Sequence, residues 1–248
     1  MENITIEIIK SWKNNKKPFS VITAYDYTTA KIVDDSKVPI ILVGDSSSMI
    51  SYGYSTTLPI QMDELLLVTR AVSRAATNSF VVGDMPFLSY QTSTSTAIKN
   101  AGVLLKEGGV KAVKLEGGLS VASRIKKIVS YGIPVMGHIG LTPQSVNLLS
   151  GNKIQGKDIR SAQKIFDDAR SLEDAGVFSV VLECIPQELS KLITSALSIP
   201  TIGIGAGKFC DGQVQVFHDI LGLLKNFHPK HAKKYVGLYK IIRDTLNK

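Results

Sequence analysis

Ala112-Val113-Lys114-Leu115, a helical stretch over residues 119–131, Gly132, then Pro134-Val135-Met136-Gly137: this segment decides the fold. A short apolar run rich in β-branched residues gives way to a helical pattern. A glycine stops the helix, and a second apolar run follows. The same unit recurs in both directions. Upstream, strands are expected at 20–24, 40–43 and 80–83. Together with 112–115 and 134–137, and with 179–182, 201–204 and 213–216 downstream, they make eight. Several are apolar throughout, as strands covered on both faces should be. Helices are expected at 62–76, 96–107, 119–131, 157–175 and 187–197. The link between the seventh and eighth strands is too short for a full helix.

Alternating β and α elements without a break in composition predict one α/β domain over residues 1–248. Eight strands favour a closed (βα)8 TIM barrel, with a doubly wound open sheet as the alternative. The chain has 248 residues, and such a barrel takes about 250. No linker, repeat or low-complexity stretch interrupts it. Ile4, Ile8, Ile9 and Trp12 form an apolar stripe suited to packing against the barrel bottom. The longest polar connections are residues 44–60 and 141–156, and long loops in compact domains often carry function.

The bulk composition excludes several classes. Cys184 and Cys210 form no disulfide framework and no CxxC, which points to a reducing compartment. The first residues, Met1-Glu2-Asn3-Ile4-Thr5-Ile6-Glu7, lack the pattern of a signal peptide. No apolar run approaches the ~20 residues of a membrane span, so no membrane role and a cytoplasmic location are expected. The formal charge is +8, but 23 of the 29 basic residues are lysines scattered along the chain. The densest group is residues 225–248, with seven basic residues against Asp244, and the chain shows no Arg cluster and no basic run interleaved with aromatics. A solvated surface and no nucleic-acid partner are the expectation.

The chemistry lies where the strands end. These ends read Val43-Gly44-Asp45-Ser46, Val82-Gly83-Asp84, Val113-Lys114-Leu115-Glu116, Met136-Gly137-His138 and Val181-Leu182-Glu183. Five successive strands place ionisable groups at one end, the active-site end of a barrel. A single acid there is commonly a helix N-cap, and Asp45 alone fits that role. The series does not, because Glu is a poor cap. Lys114 and Glu116 share a strand face. Four crowded carboxylates repel one another unless cations offset them. Lys114 supplies one charge and Mg2+ the remainder, since all-oxygen ligands suit a hard cation. Asp45 and Asp84 are the expected direct ligands, with Glu116 direct or bridged by water. Glu183 is left as general base. His138 is assigned to substrate contact, while His218, His228 and His231 read as surface positions. Cys184 reads as packing and not as a nucleophile. The run Gly203-Ile204-Gly205-Ala206-Gly207 admits a phosphate cradle, close backbone approach or simple packing.

Several runs together resemble the ketopantoate hydroxymethyltransferase family. They are Thr23-Ala24-Tyr25-Asp26-Tyr27, Leu42-Val43-Gly44-Asp45-Ser46, Asp84-Met85-Pro86-Phe87 and Val113-Lys114-Leu115-Glu116-Gly117-Gly118. Further along come Gly137-His138-Ile139-Gly140-Leu141-Thr142-Pro143-Gln144, Glu183-Cys184-Ile185-Pro186, Ile202-Gly203-Ile204-Gly205-Ala206-Gly207 and Cys210-Asp211-Gly212-Gln213. The resemblance implies a barrel of the phosphoenolpyruvate/pyruvate type. It implies transfer of a one-carbon unit from 5,10-methylenetetrahydrofolate to 3-methyl-2-oxobutanoate, giving 2-dehydropantoate for pantothenate synthesis. It places Asp45, Asp84 and Glu116 around Mg2+. It puts Asp45, Ser46, Asp84 and Lys114 on the oxo acid and makes Glu183 the proton acceptor. It also implies a cytoplasmic homodecamer. The chain departs from the family pattern at Ser47-Ser48, where Leu-Gly is usual, and at Val68, where His is usual. A Mg2+-dependent C–C lyase or mutase on the same barrel is the alternative enzyme. A basic nucleic-acid binder, with salt-dependent affinity, is the distant alternative.

Overall fold

Strands that are apolar on both faces need cover on both sides, and a closed barrel wrapped in helices supplies it. The computed structural model describes every residue except 1–3, 150, 152, 226–228, 230 and 231. Eight parallel strands pair in chain order and close: β1 (Phe19–Thr23), β2 (Ile40–Val43), β3 (Phe80–Asp84), β4 (Ala112–Glu116), β5 (Val135–Gly140), β6 (Ser179–Glu183), β7 (Thr201–Ile204) and β8 (Gly212–Gln215). The last pairs with the first, with Val214 opposite Val21. The open-sheet alternative is thereby excluded.

Helix α1 (Ile6–Asn14) precedes β1, and α2 (Tyr27–Asp35) follows it. Then α3 (Ser47–Ile50) and α4 (Met62–Ala75) follow β2, α5 (Thr94–Lys106) follows β3, and α6 (Leu119–Ser130) follows β4. Next come α7 (Ile159–Asp174) after β5 and α8 (Gln187–Ala196) after β6. No helix separates β7 from β8, and α9 (Phe217–Leu221) and α10 (Leu238–Leu246) end the chain. No helix among the described residues is long and apolar enough to cross a membrane.

Alternation along the strands sorts the core into two parts. Ile41 and Val43 of β2 join an outer cluster with Val72, Leu104, Ile125 and Leu172 of the helices. Ile40 and Leu42 join an inner cluster with Phe80, Val82, Ala112, Met136 and Val181. The inner cluster also holds Ile9 and Trp12, so α1 plugs the barrel bottom as the apolar stripe predicts. Trp12 packs on Phe19 with ring centroids 5.0 Å apart. A side chain of this size contributes about 1.5–3 kcal/mol when fully buried.

The period-two rule then carries the inner face upward. Val82 is followed by Asp84, Ala112 by Lys114 and Glu116, Met136 by His138, and Val181 by Glu183. Asp84, Glu116, His138 and Glu183 lie inside their strands rather than just beyond them. The apolar runs end before these residues, but the backbone ladder continues through them. Glu116 thus pairs with His138, and Asp84 with Lys114.

Other boundaries moved for local reasons. Helix α5 starts at Thr94 and not at Thr96, because Ser93 caps it and its Oγ accepts the Thr96 N–H at 3.0 Å. Helix α2 has no counterpart among the expected helices. Its sequence, Tyr-Thr-Thr-Ala-Lys-Ile-Val-Asp-Asp, is short and built largely of weak helix formers. Its Asp26 cap and its docking of Ala30, Val33 and Asp34 make it a helix.

Candidate active site

The barrel mouth is built on the inner-face residues of β3 to β6 and on two loops. Asp84, Lys114, Glu116 and His138 are all buried, with exposures of 5 % or less. Asp45 sits just past β2, where its backbone N–H donates to Asp84 Oδ2 at 2.9 Å. It caps no helix: the N-cap of α3 is Ser46, which makes no side-chain cap bond. Lys114 Nζ lies 2.8 Å from Asp84 Oδ1. His138 Nε2 lies 3.1 Å from Glu183 Oε2, and His138 Nδ1 lies 3.5 Å from Glu116 Oε1. The six residues singled out at the strand ends therefore converge in one place. Glu183 is the most accessible of the acids, with 16 % of its side chain exposed against 3 % for Asp84 and Glu116.

Burial and mutual repulsion set the charges. Burial, then Asp84 and Glu116, push Asp45 up to about 8. Burial also raises Asp84, against the pull of Lys114. Burial alone would lower Lys114, but Asp84, Glu116 and Asp45 hold it well above its ordinary value, so it stays an ammonium. At His138 two forms compete. As a neutral imidazole, Nδ1 accepts from Lys114 Nζ at 3.3 Å. As an imidazolium, it faces Glu116 and Glu183. Burial and Lys114 oppose the charge, yet the two acids raise His138 to about 9, so the imidazolium is the form this arrangement favours.

Among the described residues, no group of three or more acids, histidines or cysteines is close enough to hold a metal ion as it stands. The donor set nevertheless fits a hard cation. Asp84 Oδ1 and Glu116 Oε1 are buried carboxylate oxygens with no hydrogen bond of good geometry among the described residues. Their nearest partners are cations of the mouth, Lys114 Nζ at 2.8 Å from Asp84 Oδ1 and His138 Nδ1 at 3.5 Å from Glu116 Oε1. With all four acids ionised, they outnumber Lys114 and His138 by two charges, which a dication would offset.

Sequence reasoning gave no role to three residues of the mouth. Gln144, in a one-turn 3-10 helix (Pro143–Ser145), donates from Nε2 to Asp45 Oδ2 at 2.9 Å. Its backbone N–H donates to Glu116 Oε2 at 3.0 Å. Tyr90 donates to Gln144 Oε1 at 2.9 Å. Tyr25 and Ser46 share a hydroxyl hydrogen bond of 2.7 Å. Tyr25 and Tyr90 sit in irregular loops and Gln144 in a single 3-10 turn, where no periodicity aims a side chain. Gly140 joins the site through its backbone: φ is +94°, and a Cβ there would collide with the Glu183 carbonyl.

Other expectations change. His218 is half-buried rather than fully exposed, because the start of α9 packs on the end of β1, where the Phe217 N–H donates to Thr23 Oγ1 at 3.2 Å. The His218 ring stacks on Tyr25 at 5.5 Å, and burial lowers its pKa. His228 and His231 lie outside the described residues. Cys184 is half-buried, and burial, then Glu183, pushes its thiol up to about 12, so it offers no thiolate near neutral pH. The glycine-rich loop after β7 packs on α8, where Ser190 donates to the Ala206 carbonyl at 2.6 Å. Ser48 donates to the Thr56 carbonyl at 2.8 Å, which closes the loop that carries Asp45.

The family model described as ketopantoate hydroxymethyltransferase matches residues 3–248. The chain is 52 % identical to the 3-methyl-2-oxobutanoate hydroxymethyltransferase of Clostridium novyi (strain NT), over 97 % of this chain and 87 % of that one. It is 54 % identical to the enzyme of the same name from Dehalococcoides mccartyi (strain ATCC BAA-2266 / KCTC 15142 / 195), over 98 % and 86 %. Among solved structures, 2,3-dimethylmalate lyase, a PEP mutase/isocitrate lyase superfamily member, aligns with a TM-score of 0.65 at 13 % identity, over 98 % of this chain and 82 % of that one. Phosphonopyruvate hydrolase in complex with oxalate and Mg++ aligns with a TM-score of 0.65 at 10 % identity, over 86 % and 80 %. These last two show the shared barrel. With a near full-length family match and relatives at about half identity, the chain belongs to the ketopantoate hydroxymethyltransferase family, enzymes that transfer a hydroxymethyl group to 3-methyl-2-oxobutanoate.

Proposed function

We propose that the mouth carries out this transfer with 5,10-methylenetetrahydrofolate as one-carbon donor, with Glu183 as the base and with Mg2+ held by Asp45, Asp84 and Glu116. The observation that carries the reading is the unequal burial of the acids. Glu183 stands at the accessible edge, with 16 % of its side chain exposed, while Asp84 and Glu116 are buried at 3 % beside Lys114 and His138. When bound, Mg2+ is a Lewis acid that stabilises negative charge on the keto oxygen of the oxo acid.

The protein's own groups do the rest. Lys114 stays protonated and meets the anionic oxo acid. Ser46, steadied by Tyr25, and the Asp45 and Asp84 carboxylates line the same wall. Glu183 takes the proton from C3, and the enolate carbon forms the new bond to the formaldehyde-level methylene carbon; water supplies the hydroxyl oxygen, both folate C–N bonds break, and tetrahydrofolate leaves with its nitrogens protonated, giving 2-dehydropantoate. His138, close to Glu183 Oε2, fixes the direction of that carboxylate and contacts the substrate. Such proton transfer contributes about 10²–10⁴-fold.

A homodecamer in the cytoplasm goes with the family reading. The exposed face of α10, with Ile241, Ile242 and Leu246, supports association between copies. Light scattering of the purified protein measures it.

The test of the chemistry is hydrogen exchange. 3-Methyl-2-oxobutanoate in D2O, with protein and Mg2+ but no folate, should lose its C3 proton signal by NMR. Well-folded protein that leaves the signal intact contradicts the reading.

A further inference from the structure

We infer that Gln144 is the positioning residue of this mouth, its side-chain amide orienting Asp45 and its backbone N–H orienting Glu116, two of the carboxylates assigned to the metal. The inference rests on the Mg2+ reading above and adds a residue to it. Gln144 Nε2 has two protons. One goes to Asp45 Oδ2 at 2.9 Å and the other to the Met85 carbonyl at 2.9 Å. Its backbone N–H holds Glu116 Oε2 at 3.0 Å. One residue after β5 thus ties together the loop after β2, the end of β3 and the end of β4.

The amide cannot turn over without loss. Oε1 accepts from the Tyr90 hydroxyl at 2.9 Å and from Gln91 Nε2 at 3.2 Å. A flipped amide would aim its oxygen at the Asp45 carboxylate and the Met85 carbonyl, and its NH2 at the Gln91 NH2. Tyr90 is 1 % exposed, and its hydroxyl also accepts the Glu116 N–H at 3.2 Å. Gln144 is itself 6 % exposed. With Oε2 held by Gln144, Glu116 turns Oε1 toward the mouth, where its nearest partner is His138 Nδ1 at 3.5 Å. Partners that orient ligating carboxylates in this way typically carry 10–100-fold in metal affinity or activity.

The experiment compares wild type, Gln144→Met, Tyr90→Phe and the double variant. It reads Mn2+ affinity by electron paramagnetic resonance, oxo-acid affinity by calorimetry, and kcat and KM separately. Gln144→Met keeps the length and the backbone N–H but loses the amide. Its Mn2+ affinity should fall roughly 10-fold or more, with KM for the oxo acid raised and the thermal midpoint nearly unchanged. Tyr90→Phe should lose a few-fold, and the double variant should be no worse than Gln144→Met alone, because both act through one amide. A Gln144→Met protein with wild-type Mn2+ affinity and wild-type kcat/KM overturns the inference, as do losses that multiply in the double variant. If Gln144→Met does not fold, unchanged affinity in Tyr90→Phe overturns it. If wild type itself binds no Mn2+, the metal reading fails, and the same cycle in oxo-acid affinity decides Gln144.

Discussion

Asp34 and Asp45 are both buried aspartates, and the protein treats them in opposite ways. Asp34 ends α2 near the barrel bottom, with no exposed surface. It accepts from the backbone N–H and side chain of Thr77, Asn78 and Ser79 in turn. Burial alone would raise its pKa, but those bonds hold it far below the ordinary carboxylate range. Asp45, at the mouth, has Gln144 against Oδ2 and two carboxylates for neighbours, and is pushed up to about 8. Hydrogen bonds to the charged form separate the two cases, since both are out of water. The fully bonded acid stabilises the fold. The under-bonded one sits where a ligand can complete it.

Changes at the two ends should separate activity from stability. The largest effect belongs to the mouth: Glu183→Gln should lower kcat/KM for hydroxymethyl transfer by about 10²–10⁴, while its melting curve overlays wild type. At the bottom, Trp12→Ala empties the plug beside Phe19 and should cost about 3–5 kcal/mol. That is roughly 10 °C in Tm for a chain of this size, with kcat unchanged. Loss of kcat in proportion to Tm would show that the two ends are coupled.

Asp34→Asn should cost about 2 kcal/mol, because it replaces a charged acceptor with a neutral amide among donors. The pH dependence follows from the depressed pKa. A carboxylate whose folded pKa lies below its unfolded value contributes stability above the unfolded pKa, and loses it as pH falls through the folded one. The variant should therefore lose most relative to wild type near neutral pH, with the gap closing in strong acid. A gap that is constant with pH would mean that Asp34 acts by packing alone. The smallest effect is expected for Asp45→Asn in metal-free protein. With its pKa held up to about 8, Asp45 is largely neutral at pH 7, so Tm should be nearly unchanged there and should hold or rise slightly above pH 8, where a like charge beside Asp84 and Glu116 is removed. A drop of several degrees would make Asp45 a structural acid like Asp34.

The barrel was legible because eight apolar runs and their glycine stops are local signals. So was the acid ring, since strand alternation fixes which side chains share the mouth. What was not legible came from loops and from long-range bonding. Nothing near Asp34 in sequence announces that residues 77–79 will wrap it. Gln144 stood within a recognisable run, yet only the closed fold brings its amide to Asp45, Met85 and Tyr90. His218 read as surface because the turn of α9 over Tyr25 has no sequence pattern. The apolar runs also ended one or more residues short of the backbone ladder. For that reason Asp84, Glu116 and Glu183 prove to be strand residues, Glu183 paired on both sides and Asp84 and Glu116 on one.

One comparison tests the central claim directly: C3 exchange of 3-methyl-2-oxobutanoate in D2O by wild type and Glu183→Gln, side by side, with Mg2+ and without folate. The account predicts rapid loss of the C3 proton signal with wild type. It predicts a rate at least about 10²-fold lower with the variant, with oxo-acid affinity retained. Exchange by Glu183→Gln at the wild-type rate would contradict it.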